Sequence, residues 1–502
     1  MPTTLAAAVS PVPMSPPRAP ASRCCESWRG ALLGGAAASL LTLVSACPAP
    51  EAPPTEPVAE HLILITVDTL RADHLGFHGY VRPTSPNLDR FAAAGLVFDQ
   101  AWVQWPATTP SMTSMFSGTY PHANGVVVQA HGQKVPDDLL LLPEVLRDAG
   151  FHTAAVVSNS VLGLESNFPQ GFLSVRELWK ETGGSRAERV TAVAFEELDR
   201  ALETGNRFFL WVHYVDPHWP YSAPPQEQDR FVGDEHHEVR RVPLHEEDHY
   251  NDGISSKRWQ SVEGIDDVGW YVARYDGEIR YTDAQIQRFL DRLAADAIDE
   301  RALVVLTADH GESLGDHEYY FAHGQYAYQA DVHVPLVFRR PVEDRAGERV
   351  TRPVELRSLA RTVVSALLPQ VDNPFPGEDL LSSSLEQSQE PVLVFSQAGG
   401  PETLRNASYT VAVRDRSTKL VHARNGWARR LRGGRHVELY DLSRDPDELH
   451  DLAPSRPEDV RRLVFAVREL FERRPPTEPT LDDSQSVSEE TRRNLRTLGY
   501  ID

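Results

Sequence analysis

Four apolar runs set the terms on which this chain can fold: LILITV (62–67), TAAVV (153–157), FFLWVHYV (208–215) and ALVVLT (302–307). Each is hydrophobic throughout instead of alternating, which predicts a strand covered on both faces. Amphipathic stretches at 87–94, 140–149, 186–204 and 283–295 lie between them and predict helices. Strands alternating with helices imply an α/β fold, a large and mostly parallel sheet sandwiched by helices. Ligands of such sheets bind beyond the carboxyl ends of the strands. The four runs end there on Asp68, on Ser158-Asn159, on Asp216-Pro217-His218 and on Asp309-His310. One rim is therefore expected to collect all of these polar groups.

A second stretch, WPATTPSMTSMFSGTYPHANGV (105–126), points to the same rim. Thr109 suits a helix N-cap and Pro110 the first helical position, and Met112, Met115 and Phe116 recur at helical spacing until Gly118 can end the helix. Thr108 then stands just before the helix mouth, where free backbone N–H groups and the positive end of the dipole favour an anion. Asp68, Asp309 and His310 are ligand types for one divalent ion, with Thr108 as its fourth neighbour. Carboxylate and imidazole donors accommodate Mn, Zn, Mg or Ca. His74, His78 and His122 read as turn or packing residues, and His236, His237 and His245 as solvated loop residues in an acidic insertion over 226–268. Trp211 reads as core; Trp219 suits either the core or a substrate platform.

The ends of the chain differ from its centre. Residues 1–46 carry Arg18, Arg23 and Arg29 ahead of an apolar run too short for a comfortable membrane span, the form of a signal peptide. Residues 43–47, LVSAC, resemble a bacterial lipobox, which implies a lipid on Cys47 and anchorage at the bacterial cell envelope. Residues 47–60 are a Pro/Glu-rich tether. Cys24 and Cys25 would leave with the signal, so the mature chain would hold no disulfide, thiolate metal site or cysteine nucleophile. A formal net charge of -22 excludes a general nucleic-acid binder. The catalytic domain is expected over 61–390. Past it, PVLVFSQ, YTVAVRD and TKLVHAR predict short antiparallel strands, and 457–473 a helix, giving a smaller α+β subdomain over 391–473 with a tail at 474–502.

An ordered set of motifs resembles the sulfatase family of the alkaline phosphatase superfamily: VDTLRADHLGFHGY (67–80), TSPNLDRFAAAGLVFDQAW (84–102), TTPSMTSMFSGTYPHANGV (108–126), DPHWPY (216–221), TADHGESLGDH (307–317), HGQYAYQADVHVPLVF (323–338) and ELYDLSRDPDELHDLA (438–453). The resemblance implies a metal-dependent ester hydrolase, with His218 and His323 at the substrate and Asn159 and Ser111 beside it. Departures refine that expectation. Where such sulfatases carry Cys or Ser in Cys-x-Pro-Ser-Arg and convert it to formylglycine, this chain reads Thr108-Thr109-Pro110-Ser111-Met112, and threonine cannot become formylglycine. Thr69 replaces a second early acidic ligand. These changes resemble branches of the superfamily that use a Thr alkoxide on phosphorus. The expectation is a metal-bound Thr108 nucleophile acting on a phosphate, phosphonate or sulfate ester of a small molecule, glycan or lipid. A phosphoglycerol- or phosphoethanolamine-type head-group transferase and a non-catalytic envelope binding protein are the alternatives.

Overall fold

The computed structural model describes residues 56–127, 133–245, 254–255, 261–342, 345–383, 385, 393–399, 410–423, 436–477 and 487–498. The signal segment, Cys47, most of the tether and the side chain of His245 lie outside the described residues. Among the described residues, no helix is long and apolar enough to cross a membrane.

Each apolar run forms a strand: β1 (His61–Val67), β3 (His152–Val157), β5 (Phe208–Tyr214) and β6 (Ala302–Ala308). Burial is complete along β1, β5 and β6, as their uniform hydrophobicity requires. Five further strands complete a nine-stranded sheet: β2 (Leu96–Trp102), β4 (Ser174–Glu177), β7 (His333–Arg339), β8 (Arg349–Val350) and β9 (Val354–Glu355). Its order is β8-β2-β7-β6-β1-β5-β3-β4, with β9 also on β2. Only β7 runs antiparallel to its neighbours.

The register places the rim. Val67 lies opposite Tyr214 on one side and Ala308 on the other, so the residues that follow, Asp68, Val215 and Asp309, emerge at one level from three adjacent strands. Helices α1 (Pro86–Ala93), α3 (Leu142–Asp148) and α4 (Ala187–Glu203) follow the sequence patterns within two residues. Two helices depart from expectation. The helix expected over 283–295 is the last half of α5 (Val268–Ala295), whose earlier turns bury Tyr271, Tyr275, Asp276 and Glu278 and so lack a clean polar face. Helix α2 spans Thr108–Ser117 with Ala107 as N-cap, not Thr109. Proline is tolerated throughout a first turn whose N–H groups have no intrahelical partner, so Pro110 did not mark the start. Gly118 does end the helix, in the left-handed conformation at φ 71°.

The C-terminal strands β10 (Leu393–Ala398), β11 (Thr410–Asp415), β12 (Thr418–Ala423) and β13 (Val437–Asp441) form a separate antiparallel sheet in chain order. Helix α6 (Pro457–Arg473) packs on it through Leu463, Val467, Leu470 and Phe471. The same apolar cluster takes in Trp105, Ala107 and Tyr120, so this sheet supports both ends of α2. Two carboxylates bind it to the rim: Glu438 accepts from the Tyr328 hydroxyl at 2.9 Å and Glu448 from the Gln329 N–H at 2.6 Å. Of the tail, 487–498 contains α7 (Glu489–Thr497), docked against the larger domain.

Candidate active site

Three strand ends and one helix mouth converge. Asp68, Asp309 and His310 are fully buried, and one ligand atom from each lies within 4.8 Å of the others. The Thr108 hydroxyl, also fully buried, sits 3.3 Å from His310 Nε2, beside the Asp309 carboxyl. Thr108 is the first residue of α2, and Ser111 one turn on donates to the Asp309 carbonyl at 2.5 Å, tying the helix to the β6 end.

Proton positions follow from the partners. His310 Nδ1 lies 2.8 Å from the Gly311 carbonyl, which can only accept, so the proton is on Nδ1 and the Nε2 lone pair faces the site. Burial drives the His310 imidazole well below its usual range, keeping it neutral. Burial also drives the Asp309 carboxyl well up, and the charge of Asp68 adds to this. Asp68 resists its own burial: His218 and His213 beside it hold its carboxyl well below the usual range.

Asp68 Oδ1 and Asp309 Oδ2 are buried and have no hydrogen-bond partner among the described residues. Two carboxylates forced together out of water, with a neutral imidazole lone pair aimed alongside, fit a divalent cation of the oxygen- and nitrogen-preferring kind. Asp68, Asp309 and His310 would hold it. Among the described residues, no second cluster of three such groups occurs. Asp216 instead accepts from the Ala187 N–H at 2.7 Å, capping α4.

His218 and His323 face this gap together, with ring centres 5.3 Å apart, and His323 lies 4.3 Å from the His310 ring. His218 Nδ1 is 2.8 Å from the Trp219 carbonyl, which can only accept, so Nδ1 carries a proton. His323 Nδ1 is 3.3 Å from Glu312 Oε1. Burial pushes the Glu312 carboxyl up to about 8 and the His323 imidazole down to about 3. At neutral pH a protonated Glu312 thus donates to His323 Nδ1, and the remaining ring proton sits on Nε2.

The structure gives Asn159 and Ser111 positioning tasks. Asn159 donates through Nδ2 to Asp68 Oδ2 at 2.7 Å, and Ser111 is spent on the Asp309 backbone. His74 pairs with Asp276 at 2.7 Å and the His122 ring packs 4.3 Å from Phe471, as turn and packing residues do, whereas His237, expected to be solvated, is half-buried and pairs with Asp267 at 2.9 Å.

Two participants escaped sequence reasoning. His213, inside an apolar run, lies 3.6 Å from Asp68 Oδ2 and 2.8 Å from the Thr66 hydroxyl, which in turn accepts from Trp211 Nε1 at 2.9 Å. The pairing of Thr66 with His213 across β1 and β5 sets this relay, and only a polar residue at alternate positions of both runs hinted at it. Thr69 holds φ 55°, an unusual conformation for a β-branched residue, and its N–H donates to Asp309 Oδ1 at 3.2 Å.

Comparisons with known proteins bear on the fold and the family. A curated relative, the uncharacterized sulfatase YidJ of Escherichia coli, is 24% identical over 438 residues, covering 78% of this chain and 82% of its own. The phosphonate monoester hydrolase of Agrobacterium radiobacter superposes with a TM-score of 0.62 at 21% identity, covering 83% of this chain and 95% of its own. A protein solved with its substrate, D-glucosamine-2-N,6-O-disulfate, gives 0.67 at 17% identity, covering 84% and 99%. The family profile described as Sulfatase matches residues 60–368, the span that supplies every residue of the gap, and the chain belongs to the sulfatase family of the alkaline phosphatase superfamily.

Proposed function

We propose that the protein is a metal-dependent hydrolase of phosphate, phosphonate or sulfate esters in which Thr108 is the nucleophile. One observation carries the reading: the Thr108 hydroxyl lies in the same buried gap as Asp68, Asp309 and His310, 3.3 Å from an imidazole lone pair. A hydrolase acting on sulfate or phosphate esters accords with the family, and the phosphonate hydrolase and sulfated-sugar neighbours supply the substrate classes.

The chain's own groups account for the steps. A divalent cation, when bound, supplies positive charge that favours the ionised form of a nearby hydroxyl and the ester oxygens. Thr108 gives up its proton to the ionised Asp309 carboxylate, and its oxygen attacks phosphorus or sulfur as the bond to the leaving oxygen breaks. The open N–H groups at the start of α2, which no N-cap side chain occupies, face the equatorial oxygens. The imidazolium form of His218 passes its Nε2 proton to the leaving oxygen and is left as the neutral Nδ1–H ring, and the His323 N–H holds a non-bridging oxygen. Water then attacks the same phosphorus or sulfur, releasing Thr108. A formylglycine hydrate, by contrast, would expel its ester from carbon.

The test is a panel of nitrophenyl sulfate, phosphate monoester, phosphate diester and phosphonate, assayed with added divalent ion. At least one ester is expected to turn over, and Thr108→Ala to lower kcat/KM by about a thousandfold or more with an unchanged Tm. Equal activity in that variant overturns the assignment. Residues 43–47 support a lipid-anchored location at the cell envelope, to be checked by fatty-acid labelling that Cys47→Ser abolishes.

A further inference from the structure

Beside the gap lies a cavity of about 360 Å³ that shares His218 with it, draws on Ser158 and Asp216 from the same rim, and is completed by parts of the chain the gap does not use. Trp179 and Trp219 line it, as do Arg186 ahead of α4 and Arg493 from the C-terminal helix α7. Among the described residues, neither guanidinium makes a hydrogen bond or salt bridge through its side chain. Arg186 sits near Asp216 and Glu278; burial pushes both carboxyls up, but Asp216, at about 6, keeps its charge at neutral pH and competes with any bound anion for Arg186.

Helix α7 is fixed in place. Asn494 accepts from the Ser160 N–H at 3.0 Å, Trp179 Nε1 donates to the Thr491 hydroxyl at 3.2 Å, and Leu495 and Leu498 are buried. Its attachment point, Ser160, directly follows the Asn159 that orients Asp68. The tail thus closes one side of the cavity and presents Arg493 to it. Glu490, one turn earlier, also lines the cavity and is exposed, so it competes with any anion for Arg493.

We propose that this cavity is a second subsite, in which Arg186 and the tail's Arg493 bind an anionic group that the substrate carries away from the ester being cut, with a sugar-sized ring between Trp179 and Trp219. The inference rests on the ester-hydrolase reading for the role of His218, which joins the two compartments. Guanidinium forks suit carboxylate, sulfate and phosphate alike, and aromatic walls with a few convergent charges are the usual make-up of a small-molecule site. An otherwise anionic protein needs such a local positive spot to hold a doubly charged substrate at all.

The experiment measures binding, not turnover. Calorimetric titration of the full chain carrying Thr108→Ala compares glucose bisphosphate with glucose monophosphate, and glucosamine disulfate with glucosamine monosulfate. The doubly charged member of at least one pair is expected to bind more tightly. Arg186→Ala and Arg493→Ala should each reduce that preference by roughly fivefold, Arg493→Lys should restore part of it, and Glu490→Gln should enlarge it. Which pair shows the preference distinguishes phosphate from sulfate. No preference in either pair, no binding of any probe, or a preference that survives the double arginine variant overturns the proposal. Failure of every ester to turn over would refute the hydrolase reading instead, and would leave this binding ratio interpretable.

Discussion

The sharpest test of the metal centre is a titration of stability against pH, with and without a divalent cation. Asp309 is held well above its ordinary range by burial and by Asp68, so the cation-free fold takes up a proton there that the unfolded chain does not. A carboxyl raised in this way stabilises the fold fully below its unfolded pKa of about 3.9, and that contribution is lost as pH rises toward the folded value. Asp68 is shifted the other way, so its contribution changes only below that same unfolded value. Above about pH 4 the Asp309 slope therefore stands apart from that of Asp68.

One proton corresponds to at most about 1.4 kcal/mol per pH unit. With an unfolding entropy near 2.1 cal/mol/K per residue, a chain of this size loses roughly 1–2 °C of Tm per pH unit. A bound cation ionises Asp309 in the fold and removes this slope. It also adds about 2.7 kcal/mol at a hundredfold excess over Kd, or roughly 3 °C. The difference between cation-loaded and chelator-treated Tm should therefore widen as pH rises above about 4. Subtracting the two curves cancels groups remote from the gap. Asp309→Asn keeps the acceptor for the Thr69 and His310 N–H groups but cannot ionise, so its cation-free curve should lack the slope and its response to cation should disappear. A shift of equal size at both ends of the pH range, or an undiminished response in Asp309→Asn, would refute the reasoning.

Three further outcomes follow. Asn159→Leu removes the donor 2.7 Å from Asp68 Oδ2 and is expected to weaken cation affinity by about 10–100-fold, read by competition with a chelating dye. Gly311→Ala would set a Cβ 1.9 Å from the Ala330 carbonyl oxygen, displacing the adjoining His310, and should lower kcat/KM by about a hundredfold. Lys419, which burial lowers to about 8, makes a buried ion pair with Glu448 at 2.6 Å. Lys419→Met should cost about 3–5 kcal/mol by stranding that carboxylate, and adding Glu448→Gln should recover most of it, both measured by chemical denaturation.

What the sequence made legible was whatever depended on a single strand or helix. Uniformly apolar runs identified β1, β3, β5 and β6, and the polar residues after them did assemble on one rim. Relations between strands were not legible. His213 reads as one more member of an apolar run until the register sets it beside Thr66 and under Asp68. The tasks of Asn159 and Ser111 became clear only once α2 lay against the end of β6. The early start of α5 was hidden because its first turns are enclosed on several sides and lose the one-faced pattern that marks a surface helix. Helix α7 was hidden differently: its sequence is nearly all polar, and contacts such as Asn494 with Ser160 hold it where periodicity predicts little.

The groups that meet in the gap are far apart along the chain: Thr69 touches Asp309 across 240 positions and Thr108 touches His310 across 202. Loops of that size close late in folding, after local helices have formed. A chain whose distant segments have not met offers Asp309 and His310 but not the full set of ligands, so the complete site exists only in the finished molecule. In such a protein, metal capture reports that folding is complete.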